Sequence, residues 1–89
     1  MARIRVPSVL RGLVAGAATV ETDAKTIADL PKAIGATHPE LAKRLFTPDG
    51  SLQEFVNVFL ESEDVRHLAA STPLGPSSEL VLLPAVSGG

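Results

Sequence analysis

Few residues of this 89-residue chain could do chemistry, and most of those lack the neighbours that chemistry needs. His38 and His67 are the only histidines, and neither has a second His, a Cys or a carboxylate at the spacing of a metal site. They read as surface or turn residues. Glu61, Glu63 and Asp64 crowd into one polar turn that implies no pocket, so solvated charges or partner contacts are the expected roles. Ser8, Ser51 and Ser71 stand outside any nucleophile-elbow context. No glycine-rich run with a lysine joins a strand to a helix, which removes a phosphate loop. Cysteine is absent, excluding disulfides, thiolate metal sites and a cysteine nucleophile within the chain. No catalytic residue and no metal site are expected, and the chain reads as a substrate or carrier for other enzymes.

The exception is the C-terminal stretch Leu83-Pro84-Ala85-Val86-Ser87-Gly88-Gly89. With glycine at about 7% of positions, two terminal glycines arise by chance in roughly 0.5% of chains, which makes a merely frayed end a poor account. Pro84 ends the preceding strand, and Val86, Ser87, Gly88 and Gly89 then form a flexible tail leaving the domain. Gly88 and Gly89 have no Cβ, so they can thread a narrow active site in conformations closed to other residues. A carboxylate on glycine is sterically open, both for its own attack on ATP and for later attack on it by sulfur. The Gly89 carboxylate is therefore the expected attachment point of an activated group.

The elements that must carry this tail belong to one domain, because a chain this short buries roughly 60–70% of its unfolded surface around a single core. Hydrophobic residues at 45% and charged residues at 20% describe an ordinary soluble composition. The longest apolar runs, such as Leu80-Val81-Leu82-Leu83, fall far short of the about 20 residues of a membrane helix. Arg3, Arg5 and Arg11 precede no long apolar stretch, so no secretory signal is read and a cytoplasmic location is expected. A net charge of −2 gives no general attraction to nucleic acid or to an anionic membrane. Its distribution is uneven: residues 1–20 hold three arginines and no acid, whereas Glu54, Glu61, Glu63, Asp64 and Glu79 face Arg66 alone in 51–89. The second half offers either an acidic surface to a basic partner or a solvated charged face.

Periodicity supplies the elements. Arg3 and Arg5 alternate with Ile4 and Val6 up to Pro7, as in a strand with one buried face. A loose turn over Gly12 to Ala18 leads to a second hairpin strand, Thr19-Val20-Glu21-Thr22. A helix is predicted to begin at Thr26, whose hydroxyl can cap an amide, with Ile27, Leu30 and Ile34 on one face and Pro31 near the first turn. Gly35 weakens it. Pro39 restarts a second short helix carrying Leu41, Leu45 and Phe46, and Thr47-Pro48-Asp49-Gly50 turns the chain. Val56, Val58 and Leu60 define the clearest strand, with Phe55, Asn57 and Phe59 on its other side. A polar turn over Glu61 to Asp64, an inward Val65, an irregular connection and a last strand from Glu79 to Leu83 follow, with Leu80 and Leu82 inward. The order implies an α+β domain with a helix across one face of a mixed sheet. Phe55, Phe59, Val81 and Leu83 then share the second face, which is either a partner surface or is covered by the loop from Arg66 to Ser78.

The strand, proline, small residues and terminal Gly88-Gly89 resemble the MoaD/ThiS family of ubiquitin-like sulfur carriers over essentially the whole chain. Pro7-Ser8-Val9-Leu10-Arg11, Phe55-Val56-Asn57-Val58-Phe59, Glu63-Asp64-Val65-Arg66 and Leu82-Leu83-Pro84-Ala85-Val86 look most like the cysteine-biosynthesis branch of that family. The family often has Gly-Asp before the last strand, where this chain has Gly75-Pro76-Ser77-Ser78. The resemblance implies a β-grasp domain over 1–84 with a flexible tail at 85–89. It implies that an E1-like enzyme adenylates Gly89 with ATP and that a sulfur donor displaces AMP to leave a C-terminal thiocarboxylate. In the cysteine branch, a pyridoxal-phosphate-dependent synthase accepts the sulfur and a zinc metalloprotease releases cysteine. ATP, pyridoxal phosphate and zinc belong to those partners, and no cofactor is expected on this chain. Sulfur delivery to molybdopterin or thiazole, ubiquitin-like conjugation to lysines, and a plain interaction module remain alternatives.

Overall fold

Alternation does make the first strand: in β1 (Ala2–Arg5), Ala2 and Ile4 are buried while Arg3 and Arg5 point outward, and Val6 continues the inner row. The structure is a computed structural model describing residues 1–54 and 56–84. The expectations placed on Phe55, Val86, Ser87, Gly88 and Gly89 lie outside the described residues.

The loose turn predicted over Gly12 to Ala18 is largely ordered. A 3-10 helix spans Ser8–Val14 and buries Leu10 and Val14, because Pro7 presets its entry and those two apolar side chains reach the core from one side. Ala15 and Gly16, at φ 57 and 84, turn the chain into β2 (Thr19–Thr22), which pairs antiparallel with β1 as the hairpin pattern required.

The helix starts later than Thr26. That residue is extended and makes no side-chain cap; it bridges Pro73, while the Asp29 carboxylate accepts from the Lys25 amide at 3.2 Å. A 3-10 turn over Ile27–Asp29 precedes α1 (Leu30–Thr37), with Pro31 in the first turn where its missing N–H costs least. His38 breaks the run, and α2 (Pro39–Leu45) restarts on Pro39. Leu30, Ile34, Leu41 and Leu45 are the buried faces of this layer. A Cβ built on Gly35 would meet the Ala42 Cβ at 3.9 Å, an ordinary contact between the two helices.

β3 (Val56–Leu60) buries Val56, Val58 and Leu60, as its period of two predicts. The expected polar turn is only half a turn. Glu61 and Ser62, both at positive φ, close a two-residue hairpin, and Glu63–Asp64 return as a short edge strand, β4. Such hairpins want positive φ at both central residues, and the absence of an Asn-Gly signal hid this one. β5 (Glu79–Pro84) completes a five-stranded mixed sheet in the order β2-β1-β5-β3-β4. The helices lie across its inner face, where Ile4, Leu80 and Leu82 meet Leu41 and Leu45 in one core. This is a β-grasp arrangement. No helix of the described residues is long and apolar enough to cross a membrane.

Candidate functional site

β5 is central, parallel to β1 on one side and antiparallel to β3 on the other. That position decides where the tail starts. β5 runs toward the edge of the sheet where β1 ends and β3 begins, and its last pairing is Pro84 with Val56. Leu80 and Leu82 are 0% and 2% exposed, which fixes the strand's facing and turns Val81 and Leu83 outward. Leu83 is 47% exposed, a large apolar side chain left in water at the last turn of the pleat before Pro84.

Register brings the outward residues together. Arg5 lies opposite Val81, Val81 opposite Phe59, and Phe59 opposite Asp64, while Leu83 lies opposite Asn57. Phe59, Val81 and Leu83 therefore form the apolar stripe expected on the second face, with Phe55 outside the described residues. The loop from Arg66 to Ser78 does not cover it. Ile27 donates to Thr72, Ala28 to Ala70 and Leu74 to Lys25 through the backbone, so the loop runs beside the approach to α1. Leu74 is buried in the core there.

The stripe is edged by guanidinium groups that sequence reading did not assemble. Arg5 and Arg11 line a hollow of about 210 Å³ together with Pro7, Thr19, Val81 and Leu83. Arg11 is held there by its Nε, which donates to the Val6 carbonyl at 3.0 Å. On the opposite flank Arg66 donates to Asn57 Oδ1 at 3.2 Å and to the Gln53 carbonyl at 2.8 Å. The one sequence signal was the acid-free cluster of arginines at the N-terminus. Among the acids, Glu79 is opposite Arg3 and Glu63 and Asp64 occupy the edge strand, whereas exposed Glu54 stands two residues before Val56, the partner of Pro84. Arg5 and Glu79 approach to 3.8 Å with both side chains largely in solvent, an ion pair worth little.

The other sequence candidates do not converge. His38 Nδ1 shares a hydrogen bond with the Thr37 hydroxyl at the joint between helices, and His67 is exposed at the end of a 3-10 turn. Asp64 caps that turn by accepting from the Arg66 amide at 2.9 Å. Ser8 opens the first 3-10 helix, and the Ser51 amide serves the turn around Asp49. Among the described residues no group of three or more His, Cys, Asp or Glu side chains could hold a metal. Two hollows of about 350 and 470 Å³ share Pro31, Phe46 and Gly50 on the helical layer; the first is edged by Arg66 and the second by Lys32 and Lys43, and neither has an acid or a histidine in its described lining.

The sequence model of the ThiS family matches residues 4–89, nearly the whole chain and its terminal glycines. The chain belongs to the ThiS family. It is 29% identical to the sulfur carrier protein CysO of Mycobacterium tuberculosis over 97% of its own length and 96% of that protein. It is 39% identical to small archaeal modifier protein 1 of Haloferax volcanii, covering 85% of this chain and 87% of that one. Among solved structures, the CysO of Mycobacterium tuberculosis superposes with a TM-score of 0.82 at 27% identity, over 97% of this chain and all (100%) of the other. A chain of the BexX/CysO complex of Amycolatopsis orientalis gives 0.84 at 28% identity, with 100% of both chains covered. The ThiS-type β-grasp domain of these proteins is thus the fold built here.

Proposed function

We propose that this protein is a sulfur carrier whose reactive group is the Gly89 carboxylate. The observation that carries this reading is the family match running to residue 89, set on a fold whose central strand ends at Pro84. In an E1-like enzyme the carboxylate oxygen attacks the α-phosphorus of ATP and pyrophosphate leaves, sulfide sulfur then attacks the Gly89 carbonyl carbon, and AMP leaves to give a thiocarboxylate. The domain, residues 1–84, positions the tail of residues 85–89 and supplies the docking face. Phe59, Val81 and Leu83, joined by Phe55, are the apolar contact for partner enzymes, and Arg5, Arg11 and Arg66 favour partners with a carboxylate rim. ATP belongs to the activating enzyme, and the chain acts as its substrate.

For the destination of the sulfur we favour cysteine synthesis, with a pyridoxal-phosphate-dependent synthase as acceptor and a zinc metalloprotease for release, because CysO proteins match over the full length. The second reading is conjugation to protein lysines, favoured by the 39% identity to an archaeal modifier. The test is incubation of purified protein with the E1-like enzyme of its own source, ATP and sulfide, followed by intact mass. A gain equal to an oxygen-to-sulfur exchange, lost on deleting Gly89, is expected. No gain on wild type, or an equal gain without Gly89, overturns the reading; isopeptide conjugates in cells without a thiocarboxylate form select the second one.

A further inference from the structure

A sheet pairs its backbone groups everywhere except along its outer strands, so with the order β2-β1-β5-β3-β4 the open rows belong to β2 and β4. β4 is two residues long and runs directly into the 3-10 turn that Asp64 caps. β2 is the longer edge. It carries four consecutive pairs to β1 without a bulge, and it contains neither the proline nor the lysine that commonly blunts such an edge. We propose that the free edge of β2 is a docking site for an extended segment of another protein, which adds as a sixth, antiparallel strand and places a basic residue opposite Glu21.

The register says which backbone groups are offered. The Val6 amide donates to the Ala18 carbonyl at 2.8 Å, whereas the Arg3 amide turns the other way and donates to the Ser78 carbonyl at 3.0 Å. An antiparallel ladder alternates bonded and non-bonded pairs. Ile4 with Val20 and Ala2 with Thr22 are therefore bonded pairs, while Arg3 with Glu21 and Arg5 with Thr19 are not. The N–H and C=O of Thr19 and of Glu21 thus point away from β1, and among the described residues no backbone group takes them up. The connection before β2 bonds within itself, Gly16 to Arg11 and Ala17 to Val14, and leaves both Thr19 and Glu21 exposed.

Charge selects the side chains of the added strand. Among the described residues the ion pairs are Arg5 with Glu79 and Lys43 with Glu40, which leaves Glu21 and the exposed Asp23 without one. Arg3 flanks Glu21 from the β1 side only. A lysine or arginine directly opposite Glu21 gains a cross-strand pair, and an acid there is repelled. Arg5 is level with Thr19, so the residue facing Thr19 is better neutral. The alternate residues, facing Val20 and Thr22, point to the inner side. Past Thr22, a hollow of about 290 Å³ between the end of β2 and α1 is walled by Ala24, Ala33 and Ala36, with Asp23, Asp29 and Lys32 around them, and takes a branched apolar side chain.

A second copy of this chain is a poorer occupant. Thr19–Thr22 is about 14 Å long, and a strip of that length and one strand spacing in width buries far less than the roughly 800 Å² per partner of a stable interface. A segment tethered to a larger partner tolerates such a small contact. The added strand extends the sheet on the side away from β3 and leaves Phe59, Val81 and Leu83 uncovered. One protein can thus hold the domain while another works at the opposite part of the sheet, whether or not Gly89 carries sulfur.

The test uses the full-length chain labelled with ¹⁵N and a capped peptide, serine-lysine-valine-lysine-valine-threonine-serine, whose lysines fall opposite Asp23 and Glu21. Without peptide, hydrogen exchange should find the Thr19 and Glu21 amides unprotected and those of Val20 and Thr22 protected. Millimolar peptide should shift the β2 resonances and protect Thr19 and Glu21. N-methyl groups on the two residues facing Thr19 and Glu21 remove two hydrogen bonds and should weaken binding at least about fivefold. Glutamates in place of the two lysines should weaken binding to wild type, and Glu21→Lys should narrow or reverse that preference. An N-methylated peptide that binds like its parent, shifts centred on Glu63 and Asp64, or no binding at several millimolar overturns the proposal. Protection of Thr19 and Glu21 that rises with protein concentration in the absence of peptide also overturns it, in favour of pairing between copies of this chain.

Discussion

The proposed docking face is tested most directly at Leu83, the last outward side chain of β5 before Pro84. Fully burying a leucine is worth about 1.5–3 kcal/mol relative to leaving it in water. With 47% of Leu83 exposed, a partner that covers it gains roughly half of that, about 0.7–1.4 kcal/mol. Leu83→Ala should therefore weaken binding about 3- to 10-fold, since each 1.4 kcal/mol is tenfold in affinity. Leu83→Arg should do more, because a charge is taken out of water at a net cost of at least about 2 kcal/mol, or roughly 30-fold. Because the side chain points away from the core, neither change should lower the melting temperature appreciably. Calorimetric titration against the activating and the acceptor enzyme, with Ala36→Arg on the exposed side of α1 as control, measures the effect. A folded Leu83→Arg protein that binds both enzymes like wild type, or a control that loses binding equally, refutes the assignment of this face.

Three further outcomes follow from the local geometry. Gly35→Ala should stabilise the domain by about 0.5–1 kcal/mol, because glycine costs that much inside a helix and the new methyl meets Ala42 at an ordinary 3.9 Å; urea unfolding should show a raised midpoint at constant slope. Ser62→Gly should also stabilise, by about 0.5–1 kcal/mol, since Ser62 sits at φ 75 in the hairpin turn, and a loss of stability would contradict the left-handed geometry. The Asp49 carboxyl is held below its ordinary value of 3.8, first by the Thr47 hydroxyl and then by the Ser51 amide. A depressed carboxyl stabilises when ionised, so its contribution is complete above about pH 4 and disappears as pH falls through the folded value. NMR titration should find Asp49 below the other exposed aspartates, and Thr47→Val should bring it back up.

Much of the fold was legible because the signals are local. Alternation in Arg3 to Val6, in Val56 to Leu60 and in Glu79 to Leu83 names strands and their inward faces, since a period of two leaves only one way to bury a row of apolar side chains. Pro31 and Pro39 mark helix starts because proline forfeits an N–H that has no partner there. Misreadings came where a tertiary contact outranked a local preference. Thr26 is an adequate cap in isolation, but its backbone is held extended against Pro73. Glu63 and Asp64 are polar enough for a turn, yet β3 offers them a ladder.

By itself the sequence supplied the candidate chemistry: the lack of cysteine and the Gly88-Gly89 pair, both legible from composition and order along the chain. Tertiary structure decided what surrounds Pro84, the last described residue. Only the pairing of β5 between β1 and β3 aligns Val81 with Phe59 and brings Arg5, Arg11 and Arg66 to either side of Leu83. Those neighbours are separated by dozens of residues along the chain. No local periodicity encodes which strands lie side by side, because that choice is made by burying one shared core.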